Sequence, residues 1–309
     1  MSYSPVSKIW KLGTRGSPLA LTQSRGVALS LQQRDPNLKI EEVIIETSGD
    51  RYTGDRLADA GGKALFVKEI EEALLTKKVD FAVHSLKDVP GILPQGLMLA
   101  AFPPREDARD AFLSVRYASF DALPRGARLG TSSPRREMQI RAMRPDLVIL
   151  PVRGNIDTRL KKIENGEYDA LVLAAAGLHR LNKKNVIRNY FDPDVLIPAV
   201  GQGVLGIETR VDEKELISFL KTHLEERVSS LTARAERMFL EKMGGDCYTP
   251  LAGYARLQGE TLHLVGWMAT PDGQRNVRLE KSGPSTHPEE LGAVLAGEVL
   301  HAIAHHTLS

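Results

Sequence analysis

The chain has 309 residues, a formal net charge of +2, 42% hydrophobic and 26% charged residues. These values fit a soluble globular protein of two or three domains and exclude general disorder. So balanced a charge argues against a general nucleic-acid binder, and no apolar run approaches the ~20 residues of a membrane span.

Taken in chain order, the first segment predicts a strand at Ile9–Gly13, a loop Thr14-Arg15-Gly16-Ser17 and a helix opened by Pro18. Proline is favoured at the first helical position. A second strand is expected at Ile40–Glu46. The polar, glycine-rich stretch Gly49–Gly62 has no periodicity and reads as a lid or a linker. Phe66, Ile70, Ala73 and Leu74 stand at helical spacing, and the apolar strand Val79–His84 ends at Ser85-Leu86-Lys87-Asp88.

The plan then repeats. Leu129-Gly130-Thr131-Ser132-Ser133-Pro134 echoes Leu12 to Pro18 one residue shorter, and Asp169-Ala170-Leu171-Val172 echoes Asp80-Phe81-Ala82-Val83. Strands alternating with helices predict βαβ units, mostly parallel sheets and two similar α/β domains facing one another. From about residue 222 the pattern changes to a helix over Val228–Met243, three strands near 251–257, 261–269 and 275–280, and a last amphipathic helix through Leu291, Leu295, Val299 and Ile303. That is a small α+β third domain. The expected division is 1–103 with 200–221, then 104–199, then 222–309.

Ligands of α/β sheets bind at the carboxyl ends of strands, where loops meet helix N-termini. Arg15 and Ser17 occupy one such loop, Thr131, Ser132, Ser133, Arg135 and Arg136 a second, and Arg153-Gly154-Asn155 with Arg159 a third. Hydroxyls and N–H groups at helix starts favour anions, and arginine grips carboxylates through a planar fork. Helix capping explains any one loop; three alike favour a cleft for a polyanion. Asp88, beside Lys87, reads as an acceptor for N–H donors or a stabiliser of cationic charge, with a turn or N-cap aspartate as the plain alternative. His84 reads as a supporting core residue.

Cys247, in the turn Gly244 to Pro250, is the only cysteine of the chain. It cannot close an internal disulfide or supply a tetrahedral zinc site, which leaves inert packing, a nucleophile or a point of covalent attachment. Gly201-Gln202-Gly203-Val204-Leu205-Gly206 fits a dinucleotide-binding spacing but runs into a strand, not a helix, so it reads as a glycine-rich crossing between domains. His305-His306 has no matching ligands, and no metal is expected. One cysteine and a start, Met1–Ser7, without signal or transit character point to the cytoplasm.

Together these residues resemble the porphobilinogen deaminase (hydroxymethylbilane synthase) family nearly end to end. The motifs are Thr14-Arg15-Gly16-Ser17-Pro18-Leu19-Ala20, Gly61-Gly62-Lys63-Ala64-Leu65-Phe66 and Ala82 to Pro90. Gly130 to Arg136, Arg153-Gly154-Asn155 with Thr158-Arg159, Ala176-Gly177-Leu178 with Arg180, and Pro198 to Gly203 complete the set.

The resemblance implies two domains like those of periplasmic binding proteins and a third carrying a dipyrromethane cofactor on Cys247 through a thioether. It implies a cytoplasmic monomeric transferase of haem and tetrapyrrole biosynthesis. Such an enzyme deaminates porphobilinogen, adds successive pyrroles to the free end of the cofactor and releases hydroxymethylbilane, with no nucleic-acid or membrane partner. Each pyrrole brings an acetate and a propionate. Besides Cys247, the expected cofactor contacts are Arg15, Ser17, Lys63, Ser85, Lys87 and Asp88, then Thr131, Ser132, Ser133, Arg135 and Arg136, then Arg153, Gly154, Arg159, Arg180 and Gln202. Substrate falls to Arg15, Ser17, Lys63, Phe66, Arg153, Arg159 and Arg180, and proton transfer to Asp88. Asp246 beside the cysteine and Ala64 after the lysine depart from the family pattern. The rival readings are a small-anion binding protein of the periplasmic type and a hydrolase using Cys247 and His84.

Overall fold

The computed structural model describes residues 9–51, 67–244 and 249–305, without the side chains of Asp50 and Arg51. Lys63, Phe66 and Cys247, and residues 52–62 of the expected lid, lie outside the described residues. In chain order the elements are β1 (Ile9–Thr14), α1 (Pro18–Arg34), β2 (Lys39–Ile44), a single-turn α2 (Ser48–Arg51), α3 (Lys68–Leu75), β3 (Phe81–Ser85) and β4 (Leu97–Ala101). Next come β5 (Asp110–Leu113), β6 (Arg128–Gly130), α4 (Pro134–Met143), β7 (Val148–Leu150), α5 (Ile156–Glu164), β8 (Ala170–Ala174), α6 (Ala175–Arg180) and β9 (Asn189–Tyr190). The last are β10 (Leu205–Arg210), α7 (Lys214–Leu224), α8 (Arg227–Met243), β11 (Leu251–Gln258), β12 (Thr261–Ala269), β13 (Asn276–Pro284) and α9 (Pro288–His305).

The chain forms two compact units, residues 1–104 with 205–230, and residues 105–204 with 231–309. Each holds a five-stranded sheet of the same plan, β2-β1-β3-β10-β4 in unit 1 and β7-β6-β8-β5-β9 in unit 2. The first three strands of each run parallel; the fourth is antiparallel to both its neighbours. Four of the five strands in each sheet therefore run the same way, as expected, and one runs against them. A βα crossover sets the direction of β1, β2 and β3, whereas β10 enters unit 1 from a distant part of the chain and no crossover helix constrains it.

The internal echo has a structural basis. Asp80 Oδ2 accepts the backbone N–H of Lys11 at 2.8 Å, and Asp169 Oδ2 accepts that of Arg128 at 2.8 Å. Each aspartate also donates its own N–H to the carbonyl of that same residue. The two clasps set equivalent registers, Leu12 against Phe81 and Leu129 against Ala170.

In unit 1, α1 starts at Pro18 because Ser17 caps it, and it buries Val27 and Leu31 against Leu12, Phe81 and Val83. The other face of the sheet lies under α3, where Ile70 and Leu74 meet Ala82 and Leu97. Each fully buried Phe or Leu contributes roughly 1.5–3 kcal/mol. In unit 2, α8 and α9 cover the antiparallel sheet β11-β12-β13 around Phe239, Leu264 and Leu295. The described residues of 231–305 thus join two helices to an antiparallel sheet within unit 2.

Candidate active site

In unit 1, β1 and β3 are parallel neighbours, so the loops after Thr14 and Ser85 leave the same end of the sheet. The Ser17 hydroxyl accepts from Ala20 N at 3.3 Å, and Arg15 is half-buried just before it. Ser85 Oγ accepts from Nε2 of the buried Gln23 at 2.9 Å, which ties α1 to the end of β3. The chain then makes one 3-10 turn, Leu86–Asp88, closed by Val89 N donating to Leu86 O at 3.1 Å. Leu86 is buried, Lys87 half-buried and Asp88 exposed. Among the described residues nothing hydrogen-bonds or ion-pairs with the Asp88 carboxylate. A carboxylate on a fixed turn with no internal partner is available to a ligand's N–H donors.

His84 points the other way, into the interior, with Nε2 2.9 Å from Glu208 Oε2. It supports the sheet and is not presented to a ligand.

In unit 2 the two parallel strands β6 and β7 end at a knot built on hydroxyls. Ser132 Oγ donates to Val152 O at 2.8 Å and accepts from Val152 N at 2.9 Å. Thr131 Oγ1 accepts from Ser133 N at 3.3 Å, and Ser133 caps α4. Arg135 and Arg136 are buried on Asp110: Arg135 Nη1 reaches Oδ2 at 2.8 Å, and Arg136 Nη2 reaches Oδ1 at 2.7 Å. Burial alone would raise the Asp110 carboxyl, but the two guanidiniums outweigh it and hold it well below the usual carboxylate range. Gln202 is buried too, donating to Ala108 O at 2.7 Å and Asp110 Oδ1 at 3.0 Å.

Arg153 is exposed. Asn155 caps α5, accepting from Thr158 N at 2.9 Å, and Gly154 before it has φ +104°. A Cβ at Gly154 would stand 2.7 Å from Thr158, so the position needs glycine. Arg159 Nε donates to the Gly154 carbonyl at 2.8 Å, and Arg180 Nη2 to that of Gly203 at 2.7 Å. Among the described residues neither has a carboxylate at ion-pair distance. Burial, helped by Arg136, pushes Arg159 down to about 10, and burial pushes Arg180 down to about 10 against the pull of Glu106. Two half-buried guanidiniums with no carboxylate at ion-pair distance among the described residues suit an anionic ligand, and the acetate and propionate groups of a dipyrromethane fit that donor set.

Sequence reading misses Gln23, Asp110 and Glu208, each of which acts by holding another residue. A charged side chain opening or interrupting an apolar strand, as Asp110 and Glu208 do, is the only local signal for two of them.

Cationic and hydroxyl-bearing loops at the strand ends of two like sheets, with an exposed carboxylate on one, have the donor set that suits polycarboxylate ligands. Two family models match: "Porphobilinogen deaminase, dipyromethane cofactor binding domain" over residues 10–218 and "Porphobilinogen deaminase, C-terminal domain" over residues 230–301. The porphobilinogen deaminase of Syntrophobacter fumaroxidans (strain DSM 10017 / MPOB) is 44% identical over 303 residues, which is 98% of this chain and 98% of that one. Similar solved structures include the BvgS periplasmic VFT2 domain of Bordetella pertussis, 17% identical over 70% of this chain and 86% of its own with a TM-score of 0.42. Immunogenic lipoprotein A from Vibrio vulnificus is 12% identical over 69% and 94% respectively, with a TM-score of 0.43.

The chain belongs to the porphobilinogen deaminase family. Its activity is that of a hydroxymethylbilane synthase, a transferase of tetrapyrrole biosynthesis that deaminates porphobilinogen and links it on a bound dipyrromethane. The anion-binder and hydrolase readings are set aside.

Proposed function

We propose that Asp88 is the catalytic residue of this activity and that Cys247 holds the dipyrromethane through a thioether. The observation that supports Asp88 is its exposed carboxylate, without a partner among the described residues, on a turn fixed by the Gln23–Ser85 bond. When bound, the dipyrromethane supplies the pyrrole end that is extended. Asp88 accepts pyrrole N–H groups, offsets positive charge as ammonia leaves, and takes up a proton at its carboxylate; positioned proton transfer of this kind contributes about 10²–10⁴ in rate.

Unit 1 supplies Arg15, Ser17, Lys63, Ser85 and Lys87 to the acetate and propionate groups. Unit 2 supplies Thr131, Ser132, Ser133, Arg153, Gly154, Arg159 and Arg180. Arg135, Arg136 and Gln202 act through Asp110 and the loops it organises. Lys63, Phe66 and Cys247 enter on the family resemblance, as does a lid at 49–62. The three-domain division, 1–103 with 200–221, 104–199 and 222–309, belongs to the same proposal.

Porphobilinogen is the small-molecule partner, and the chain works as a cytoplasmic monomer without nucleic acid or membrane. Among the described residues no helix is long and apolar enough to cross a membrane, and the net charge of +2 gives no broad basic surface.

Intact mass spectrometry of an active preparation tests this reading. The expected mass exceeds that of the chain by one dipyrromethane, and Cys247→Ala removes the excess. A fully active chain of unmodified mass overturns it.

A further inference from the structure

Three ionisable side chains from three elements meet inside unit 1, on the sheet face covered by α3. Glu208 of β10 lies opposite Ala82, and Gly206 opposite His84, so Glu208 and His84 share that face as diagonal neighbours. Their closest atoms, Oε2 and Nε2, are 2.9 Å apart. Glu71 of α3, buried in the same layer as Ile70 and Leu74, is near enough to feel the charges of both. None of the three is more than 6% exposed. Glu71 Oε1, both Glu208 carboxylate oxygens and His84 Nε2 have no well-aligned hydrogen bond.

Among the described residues, other charged groups from the packed elements do not neutralise this set: on α3, Lys68 and Glu72 are exposed and Glu69 is turned to Ser48. Arg210, further along β10, is turned to Leu74 O, Val79 O and Glu213. Lys11 of β1 is exposed, and β4 brings only apolar residues. Two carboxylates buried in one apolar layer cannot both carry charge at acceptable cost. Burial first and the Glu208 charge second raise Glu71 to about 7, while His84 opposes them.

The cluster sits directly behind the turn that carries Asp88. His84 and Ser85 are the last two residues of β3, paired with Gly206 and Leu205, and Ser85 leads into Leu86–Asp88. We propose that Glu71, His84 and Glu208 form a proton-sharing cluster that positions the Asp88 turn, so that turnover falls when the cluster loses its shared proton. Loss of that proton sets two buried carboxylates against each other and displaces the end of β3. A misplacement of about 1 Å at a reacting group costs on the order of a hundredfold in rate. The three are positioning residues, and the proposal rests on Asp88 acting in turnover.

The test uses holoenzyme: wild type, Glu71→Gln and His84→Gln, with kcat and KM measured from about pH 6 to about pH 9. Glu71→Gln imitates the protonated acid, so its kcat relative to wild type should rise by about fivefold across that range, with KM within about twofold. His84→Gln should lower kcat by about tenfold while keeping the cofactor mass. Infrared difference spectra between the two pH extremes should show a protonated-carboxyl band lost from wild type and missing in Glu71→Gln. A constant kcat ratio, or the same band in Glu71→Gln, overturns the proposal, and so does an unchanged kcat in His84→Gln. If His84→Gln does not fold, the Glu71→Gln arms decide alone. Normal turnover in Asp88→Asn would defeat the Asp88 assignment, whereas the infrared arm reports on Glu71 independently of it.

Discussion

Arg135 Nη1 donates to Asp110 Oδ2 at 2.8 Å, with both side chains buried. Arg136 closes on the other oxygen, so one carboxylate compensates two guanidiniums. Asp110→Asn leaves both without a full countercharge, and about 3–5 kcal/mol of stability should be lost. Asp110 has a depressed folded value, so its contribution is present above the unfolded carboxylate range and fades as pH falls through the folded value. In urea melts the gap between wild type and variant is therefore wide at neutral pH and narrows below about pH 4. Equal midpoints at neutral pH would contradict this.

Arg159 should behave in the opposite way. Its guanidinium is desolvated, bonded to one carbonyl, and without a carboxylate partner among the described residues. Arg159→Leu removes a cation that the fold does not need, so the midpoint of unfolding hardly moves. Loss of one charge-assisted bond of about 1.5–3 kcal/mol should raise KM for porphobilinogen by about tenfold or more. Steady-state kinetics beside a thermal melt separate this from a folding defect.

Asp88→Asn keeps the shape of the exposed turn but removes the proton acceptor. The variant should carry its cofactor, as read by intact mass, and lose about 10²–10³ in kcat. Near-normal turnover would take Asp88 out of its role.

Glu71 supplies a pH-dependent stability term separate from its effect on rate. Its folded value of about 7 lies above the ordinary 4.5. Stability is therefore fully present below the unfolded value and is lost as pH rises through the folded one. Glu71→Gln should be close to wild type at about pH 4 and more stable by on the order of 2 kcal/mol at about pH 8. Denaturant titrations at both pH values check the sign as well as the size.

Gly203 has φ +89°, and an added Cβ would run into the Glu106 carbonyl. The same segment is held by Glu106 N donating to Gly203 O at 3.0 Å and by Arg180. Gly203→Ala should cost roughly 3 kcal/mol or more and weaken ligand binding through Arg180. An unaltered melt would show that the segment can relax.

Much of this is readable from sequence where the signal is local. Ser17-Pro18 and Ser133-Pro134 mark helix starts by capping chemistry, and both helices begin at those prolines. The paired echoes at Asp80 and Asp169 are visible as text because each clasp needs one aspartate at one offset from a strand. Loop arginines are also visible, but not their partners. Arg135 and Arg136 look like Arg159 in composition and differ only in meeting Asp110, which lies on another strand. The direction of β10 and the meeting of Glu71 with Glu208 depend on tertiary pairing, to which no local propensity responds.

The position of β10 also sets a timetable for synthesis. Every strand of the unit 2 sheet is available once Tyr190 has been made, whereas the unit 1 sheet lacks its member between β3 and β4 until Arg210 emerges. On the ribosome, of the two five-stranded sheets, the one whose first strands are translated earlier is the one completed later. Until then β3 and β4 expose unpaired backbone, and the turn bearing Asp88 has no strand beside it.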